Sequence, residues 1–547
     1  MRHQARDGKG HTLVSFNDMG TGVRLLVGIL SLCAAIANAH GHEHGGTSQI
    51  PRGARLGAVS FEISCKPQVK ADFNRGVALL HSFWLDEAGH VFDSVATADP
   101  DCAMAYWGVA MSHTNQVNGG PSQSDLAPVH QALARADAAR EKDSREAAYI
   151  RALHIFLDDY KEDDFYRLAA RYTDAMAAVA AAYPEDLEAK VFYALALLNS
   201  DPPTDVALSN PRKAVAILSP ILREHLDHPG VAHYIIHACD NSAMAREGLP
   251  AARRYASIAP AAPHALHMPS HIFARLGLWQ DDIRSNLASE TAAESPETHA
   301  GAESRLHAME FLEYAYLQTG QIEKARAITD EAKTIKLTDL DPRYSAYFAT
   351  VETRYAFLLA VETHDWVSAS TIKPVAPGGR GAEGLAVLAH AISAGHMHDA
   401  HAGKEADAAV DALVVEIPPS QRPTATVPDE IRAWAKFSQG DLTGAITLLR
   451  PIADRQAKIG KGEVELPARE MVAEMLLLSG NFAEALAEYQ ASLASDPNRF
   501  NALIGAGEAA QKLGRRALAA RYHRILAADC AESDGAAHER VEKAKTL

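Results

Sequence analysis

Two pairs of histidines stand out between residues 230 and 310 because their spacing repeats. His233 and His237 are four residues apart, and His267 and His271 repeat this pair 34 positions later. Residues four apart share one face of a helix, and 34 residues is a typical length for a helical-hairpin repeat. The spacing therefore predicts that the two pairs stand side by side on successive helices. Imidazole is a common ligand of transition metals, so metal binding is the chemistry to expect.

Side by side, the two pairs form two rows, with His233 and His267 in one row and His237 and His271 in the other, and a third helix extends both rows. The offset between two glycines at inter-helix turns, Gly277 and Gly320, is 43 residues. That shift carries His267 onto Glu310, His271 onto Tyr314 and His264 onto His307. The predicted metal set is His233, His267 and Glu310, and two histidines with one carboxylate leave coordination positions open for a reaction or for transport.

The other residues in and beside these rows are predicted to support the metal set. His237, His271 and His307 could be further ligands or could orient the ligands. Asp240 follows His237 by one turn and could accept an imidazole proton, while His264 and Tyr314 would line the same groove. The candidate ions are zinc, copper, nickel and iron. The alternative is a polar packing network, because duplication of a repeat also copies structural histidines.

Histidines elsewhere carry less information. The tract HGHEHGG, from His40 to Gly46, could hold a metal loosely and deliver it to the groove, or it could be a solvated leader. His81 and His113 lie on predicted N-terminal helices and could continue the polar groove.

Motifs of other chemistries are missing from the sequence. It contains no GxSxG, P-loop, HExxH or CxxC pattern. No catalytic residue is predicted, and an enzyme activity, if there is one, would depend on a metal in the histidine groove. The net charge of −16, without a long basic block, does not favour nucleic acid as a partner.

The composition favours helices as the elements that position the histidines. Hydrophobic residues make up 47% of the chain and aromatic residues only 7%, and alanine is frequent. Small residues at helix crossings, such as Gly76 and Ala88, are followed by an aromatic residue, Phe92, and by a helix-stopping proline, Pro100. The same order returns near the C-terminus, and it predicts a chain of helical hairpins.

Segments such as RGVALLHSFWLDEA and EALAEYQASLASDPNR resemble the tetratricopeptide repeat (TPR) superfamily over nearly all of the mature chain, and look like exported bacterial TPR proteins without established activity. The resemblance implies an all-α, TPR-like α-solenoid, a right-handed superhelix of antiparallel helix pairs. It also implies a concave groove that binds a peptide or protein partner. Peptide-binding members clamp a terminal carboxylate with Lys, Arg and Asn, whereas this chain has His, Glu and Tyr at those positions.

The N-terminus resembles a secretory signal. Arg24 precedes an apolar run that ends in the small residues Ala37 and Ala39, which predicts cleavage before His40 and a periplasmic or secreted protein. A retained membrane anchor is the alternative, and no other apolar run is long enough to span a membrane.

Four cysteines remain after the signal segment, namely Cys65, Cys102, Cys239 and Cys530. Export permits disulfides, and Cys65 with Cys102 is the first pair to test because the two flank the first hairpin. The other interpretation is that all four are buried thiols.

The predicted organisation has five parts. They are a signal segment (1–39), a His/Gly-rich flexible leader (40–58), an N-terminal superhelix with the histidine groove (59–414), a proline-rich linker (415–429), and C-terminal repeats with a capping helix (430–547).

Overall fold

The fold is known from a computed structural model, which describes residues 48, 50–114, 119–140, 142–161, 164–294, 301–336, 345–415, 425–462 and 464–546. The signal segment, the histidines of the leader and most of the predicted linker lie outside these residues. The predictions made for those segments therefore stay predictions.

Every regular element of the described residues is helical. In chain order the α-helices are α1 (Lys70–His81), α2 (Leu85–Ala98), α3 (Ala103–Ser112), α4 (Leu126–Ala138), α5 (Ser144–Leu157), α6 (Phe165–Ala182), α7 (Leu187–Asn199), α8 (Ser209–Glu224), α9 (Pro229–Cys239), α10 (Ala245–Ile258), α11 (Pro263–His267), α12 (Pro269–Arg275), α13 (Trp279–Glu294), α14 (Gly301–Gln318), α15 (Ile322–Ala332), α16 (Ser345–Glu362), α17 (Trp366–Ala369), α18 (Gly379–Met397), α19 (Ala400–Val415), α20 (Val427–Ser438), α21 (Leu442–Ile459), α22 (Ala468–Leu478), α23 (Phe482–Ser495), α24 (Phe500–Lys512), α25 (Arg516–Asp529) and α26 (Gly535–Thr546).

Each helix packs on the next one along the chain, and alternate helices such as α1 and α3, α7 and α9, or α22 and α24 also touch. Short connections between packed neighbours give antiparallel helix pairs. Stacking of such pairs, in which the first helix of one pair touches the first helix of the next, is the arrangement of TPR proteins. The predicted all-α, TPR-like α-solenoid is confirmed.

The first hairpins show why the small residues are needed. The ring of Phe92 on α2 lies against Gly76 on α1 and Gly108 on α3, and a Cβ at Gly76 would come within 2.7 Å of that ring. A larger residue at either glycine would push the helices apart. The predicted pattern of small residues around one aromatic ring therefore agrees with the packing of these helices.

A disulfide ties the start of the array together. Cys65, just before α1, and Cys102, just before α3, form a bond with an S–S distance of 1.97 Å. The predicted pair is confirmed. Cys239 and Cys530 are buried free thiols.

Two hydrophobic clusters make up the core. One extends from Ile50 to Phe273, and the other from Ala274 to Ala544, so they meet within α12. The second cluster includes residues on both sides of the predicted linker, and α18 and α19 pack on α20 across it. The histidine-bearing helices thus lie where the two clusters meet.

The C-terminal repeats fold back onto the middle of the chain. Trp279 donates its indole N–H to the carbonyl of Asn498 at 2.8 Å, and the side chain of Asp534 accepts from the backbone N–H of Ile322 at 2.8 Å. The last helix, α26, packs on α25 and also on α15. No described helix is both long and apolar enough to cross a membrane.

Candidate metal centre

Four helices carry the predicted histidines. α9 presents His233 and His237, α11 presents His264 and His267, α12 presents His271, and α14 presents His307. Pro269 begins α12 immediately after α11 because proline lacks the N–H that would continue the helix. α12 contacts both α9 and α14, so these are neighbouring first helices, as the repeat spacing predicts.

The first group of histidines is the outer triad, formed by His233, His237 and His264. Their ligand atoms lie within 4.8 Å of one another. The Nε2 atom of His233 is 3.0 Å from Nε2 of His237 and 3.1 Å from Nε2 of His264. His233 is buried, whereas His237 and His264 are partly exposed. This triad therefore has a side open to solvent.

The second group is the inner triad, formed by His267, His271 and His307, and all three side chains are buried. The Nε2 atoms of His267 and His271 are 2.9 Å apart. Neither ring nitrogen of His307 has a hydrogen-bond partner, and its Nδ1 lies 3.6 Å from a Glu310 oxygen. Buried polar nitrogens without partners are rare in folded proteins, so this triad is incomplete as a purely structural network.

Hydrogen bonds on the far side of the rings fix their tautomers. Nδ1 of His233 lies 2.6 Å from the carbonyl oxygen of His81. Nδ1 of His271 lies 2.8 Å from a carboxylate oxygen of Asp240. Both partners only accept, so in each case Nδ1 carries the proton and Nε2 is left with a lone pair. Such contacts are typical of the groups that orient metal-ligating histidines.

The same reasoning holds for His267. Its Nδ1 lies 2.7 Å from Oδ1 of Asn286, and the amide nitrogen of Asn286 donates to the backbone carbonyl of Asp282 at 3.1 Å, which fixes the orientation of the amide. Nδ1 of His267 is then the donor. In the neutral rings the Nε2 lone pairs of His267 and His271 consequently point at each other across 2.9 Å, and a cation between them, either a proton or a metal ion, removes this repulsion.

Burial favours the neutral form of five of these rings. It is the main cause that holds the pKa of His233, His264 and His267 well below the ordinary value, and neighbouring histidines lower the pKa of each further. Burial, with His271 nearby, lowers the pKa of His237 to about 3. Burial also lowers the pKa of His307, although Glu310 opposes the shift.

Glu310 does not join His233 and His267 as the predicted ligand set requires. Its carboxylate forms a buried ion pair with Arg354 on α16. Burial would raise the pKa of Glu310, but Arg354 and His307 outweigh it and hold the pKa below its usual range. Glu310 thus lies beside His307 without joining His233 and His267. The predicted set of His233, His267 and Glu310 is replaced by two groups of three histidines, which include the three predicted as further ligands or orienting residues.

Tyr314 differs from its predicted surroundings, whereas Asp240 takes the predicted role. The hydroxyl of Tyr314 lies against Arg499 and donates to the carbonyl of Glu465, so the side chain is buried away from the histidines. Asp240 accepts an imidazole proton from His271 and also pairs with Arg275. Both residues sit beneath the α21–α22 connection, whose Lys461 carbonyl accepts from Arg275 at 2.6 Å. At this point the inner wall is covered by the chain itself.

A third buried group, the carboxylate triad of His81, Glu188 and His228, was not predicted as a unit. Nε2 of His81 and Nε2 of His228 lie 2.8 and 2.9 Å from the two oxygens of Glu188. Nδ1 of His81 lies 2.8 Å from the hydroxyl of Tyr234, and Nδ1 of His228 accepts from the N–H of Val231. All of its ring nitrogens are thus satisfied.

Two neighbours of the site gave no sequence signal. Asn286 and Arg354 lie on helices that are not in the histidine repeat register and contact His267 and Glu310. His81, which was expected to continue the polar groove, contributes its backbone carbonyl to His233. His264 was placed in the groove, but nothing in the repeat pattern marked it as a ligand of the outer triad.

Comparisons with known proteins found likenesses among solved structures but no related family or curated protein. Among solved structures, it is similar to the human IFIT1 dimer with m7Gppp-AAAA, at 13% identity over 89% of this chain and 96% of that chain, with a TM-score of 0.35. It is also similar to the TPR domain of P58(IPK), at 14% identity over 82% of this chain and 99% of that chain, with a TM-score of 0.21. The TPR-like fold assignment therefore depends on the helix packing described above.

Proposed function

We propose that this protein binds transition-metal ions, one in the outer triad and one in the inner triad. The observation that carries the proposal is the facing pair of Nε2 lone pairs on His267 and His271, 2.9 Å apart in a buried site. A metal ion bound by both nitrogens would turn this repulsion into coordination. Zinc, copper, nickel and iron suit an all-imidazole set, whereas calcium and magnesium require oxygen ligands.

The spacing of the ligand atoms supports this proposal. Zn–N bonds of about 2.0–2.1 Å in a tetrahedral site put neighbouring nitrogens about 3.3 Å apart. The Nε2 pairs of the two triads lie at 2.9 to 3.1 Å, so small side-chain rotations would suffice. Three histidines leave one position open on each ion, as in catalytic rather than structural zinc sites.

Metal analysis of the purified mature chain tests the proposal. After zinc or copper loading and dialysis, we expect about two ions per chain, and His267→Ala should lose the inner ion, since removing a ligand costs more than the 10–100-fold affinity lost on removing a supporting residue. The control is His401→Ala, which changes an exposed histidine on α19. A second control lacks residues 40–46, so that metal on the leader is not counted. A loaded chain without tightly held metal, or a His267→Ala variant with the full content, would refute the proposal.

We infer that the protein works outside the cytoplasm, in the periplasm or as a secreted protein. The Cys65–Cys102 disulfide supports this location, because such bonds persist in oxidising compartments. Fractionation of the native host, with mass spectrometry of the mature N-terminus, is the test. A start at His40 in the periplasmic or extracellular fraction is expected, and an uncleaved cytoplasmic protein would contradict it.

Binding of a peptide or protein partner is the second proposal, and the helical-repeat architecture supports it. The partly exposed edge of the outer triad, at His237 and His264, is the part of the predicted groove that a partner could reach. Pull-down from a periplasmic extract should recover a defined partner, and His264→Glu should release it. Recovery of the same proteins by the variant would count against this surface.

A further inference from the structure

The two triads form one continuous cluster. The ring centroids of His264 and His267, which belong to different triads, are 6.2 Å apart, and those of His237 and His271 are 6.5 Å apart. Within the outer triad, the rings of His237 and His264 are 6.4 Å apart. The distance between rings of different triads is therefore about the same as the distance between these two rings of one triad.

A single turn of helix sets this separation. His264 and His267 both lie on α11, three residues apart, and each belongs to a different triad. Residues three apart on a helix are direct neighbours on its surface. Two ions held by these rings would consequently be neighbours, and dinuclear protein sites hold their ions about 3.5–4 Å apart.

The charges near the cluster point to what that ligand must be. The six imidazoles are neutral when they coordinate, and the two nearest carboxylates are already paired, Asp240 with Arg275 and Glu310 with Arg354. Two divalent ions would leave their positive charge uncompensated in a largely buried site, which is costly. An anion held between the two ions compensates both at once.

We infer that the two triads act together as one dinuclear centre that binds a small anion, of the size of hydroxide or azide, between its two metal ions. This inference rests on the proposed function, because it requires both triads to hold metal. The anion reaches the centre from the outer triad, where His237 and His264 are partly exposed. The open coordination position of each ion is then used by the shared anion.

The test uses copper(II) as the metal and azide as the probe anion. Two Cu(II) ions about 3.5–4 Å apart with one bridging ligand couple their spins, so the EPR intensity per copper should fall roughly tenfold relative to isolated ions. His307→Ala in the inner triad and His264→Ala in the outer triad should each retain one copper with full EPR intensity. The two variants change different helices, so a folding defect in one leaves the other informative.

The outcomes separate the two proposals. Two coppers per chain with a strongly reduced EPR signal support the dinuclear centre. Two coppers per chain with full intensity, in the presence and absence of azide, overturn it while the metal-binding function stands. A chain that retains no copper overturns both.

Discussion

The histidine cluster, formed by the outer and inner triads, differs from the carboxylate triad in the hydrogen bonds that its ring nitrogens make. Both are built from histidines on neighbouring helices, and the inner triad of the cluster is as buried as the carboxylate triad. In the carboxylate triad Glu188 accepts from two imidazoles, and each remaining nitrogen also has a partner. In the inner triad two lone pairs face each other, and both nitrogens of His307 lack a hydrogen bond.

This difference separates histidines that hold the fold from histidines that we propose as metal ligands. A histidine whose two nitrogens bond to other groups of the protein contributes stability and has nothing left for a metal. A histidine whose Nδ1 is fixed by an acceptor directs its Nε2 lone pair as a metal ligand requires. Burial alone does not distinguish the two, since the inner triad is buried to a similar degree as the carboxylate triad.

The largest effect on stability is expected from Glu188→Ala. Removing this carboxylate leaves His81 and His228 without the buried acceptor they share, and breaking such a pair typically costs about 3–5 kcal/mol of unfolding free energy. The metal content of the folded protein should not change. Urea unfolding and metal analysis of the same samples measure both quantities.

A matched acid provides the control for Glu188→Ala. Glu405 is largely exposed on α19, and Glu405→Ala should change the unfolding free energy by no more than about 0.5 kcal/mol. If Glu188→Ala lost metal without losing stability, the carboxylate triad would belong to the metal site and the comparison would fail.

A smaller effect is expected from Asp240→Ala, read out as metal affinity. Asp240 fixes the proton on Nδ1 of His271, and loss of such a supporting group usually weakens metal binding 10- to 100-fold. Only the inner site should weaken. Competition with a chelator measures the affinity of each site.

The control variant for that experiment is Tyr234→Phe, which removes the hydroxyl beside Nδ1 of His81 in the carboxylate triad. It should leave both metal affinities unchanged. Asp240→Asn keeps an acceptor oxygen and should restore part of the metal affinity that Asp240→Ala loses. If Asp240→Ala, Asp240→Asn and Tyr234→Phe all had the same metal affinity, Asp240 would have only a structural role.

The smallest expected effect per residue is the dependence of the unfolding free energy on pH. His233, His267 and His307 have lowered pKa values in the folded chain, so below about pH 6.5 the unfolded chain binds more protons than the folded one. The unfolding free energy of the metal-free protein should therefore fall as pH falls, by about 1 kcal/mol per histidine near pH 5.5. Thermal unfolding between pH 7.5 and 5.5 measures it.

Removal of two of these groups provides the check on the pH effect. In a variant with His233→Gln and His267→Gln, the unfolding free energy should depend less steeply on pH than in the unaltered chain. The reason is that fewer imidazoles become protonated when the chain unfolds. An unchanged slope would assign the acid sensitivity to other groups.

Much of the fold could be predicted because its signals are local and periodic. The small residues around Phe92 and the flanking positions of Cys65 and Cys102 agree with the structure. The repeat period also identified the neighbouring helices that carry the histidines. The metal set was less accurate, because a period gives helix neighbours but not the direction in which each side chain turns.

The sequence by itself determined that the chain is a helical repeat array and predicted that the helices carrying the repeated pairs, His233 with His237 and His267 with His271, are neighbours. Only the tertiary structure decided how six histidines divide into two triads, that Glu310 turns to Arg354, and that His81, Asn286 and Asp240 occupy the far side of the rings. The physical reason is that repeat spacing is set within one or two hairpins. Tautomers and ion pairs depend on contacts between residues as far apart as His81 and His233, which are separated by 152 positions.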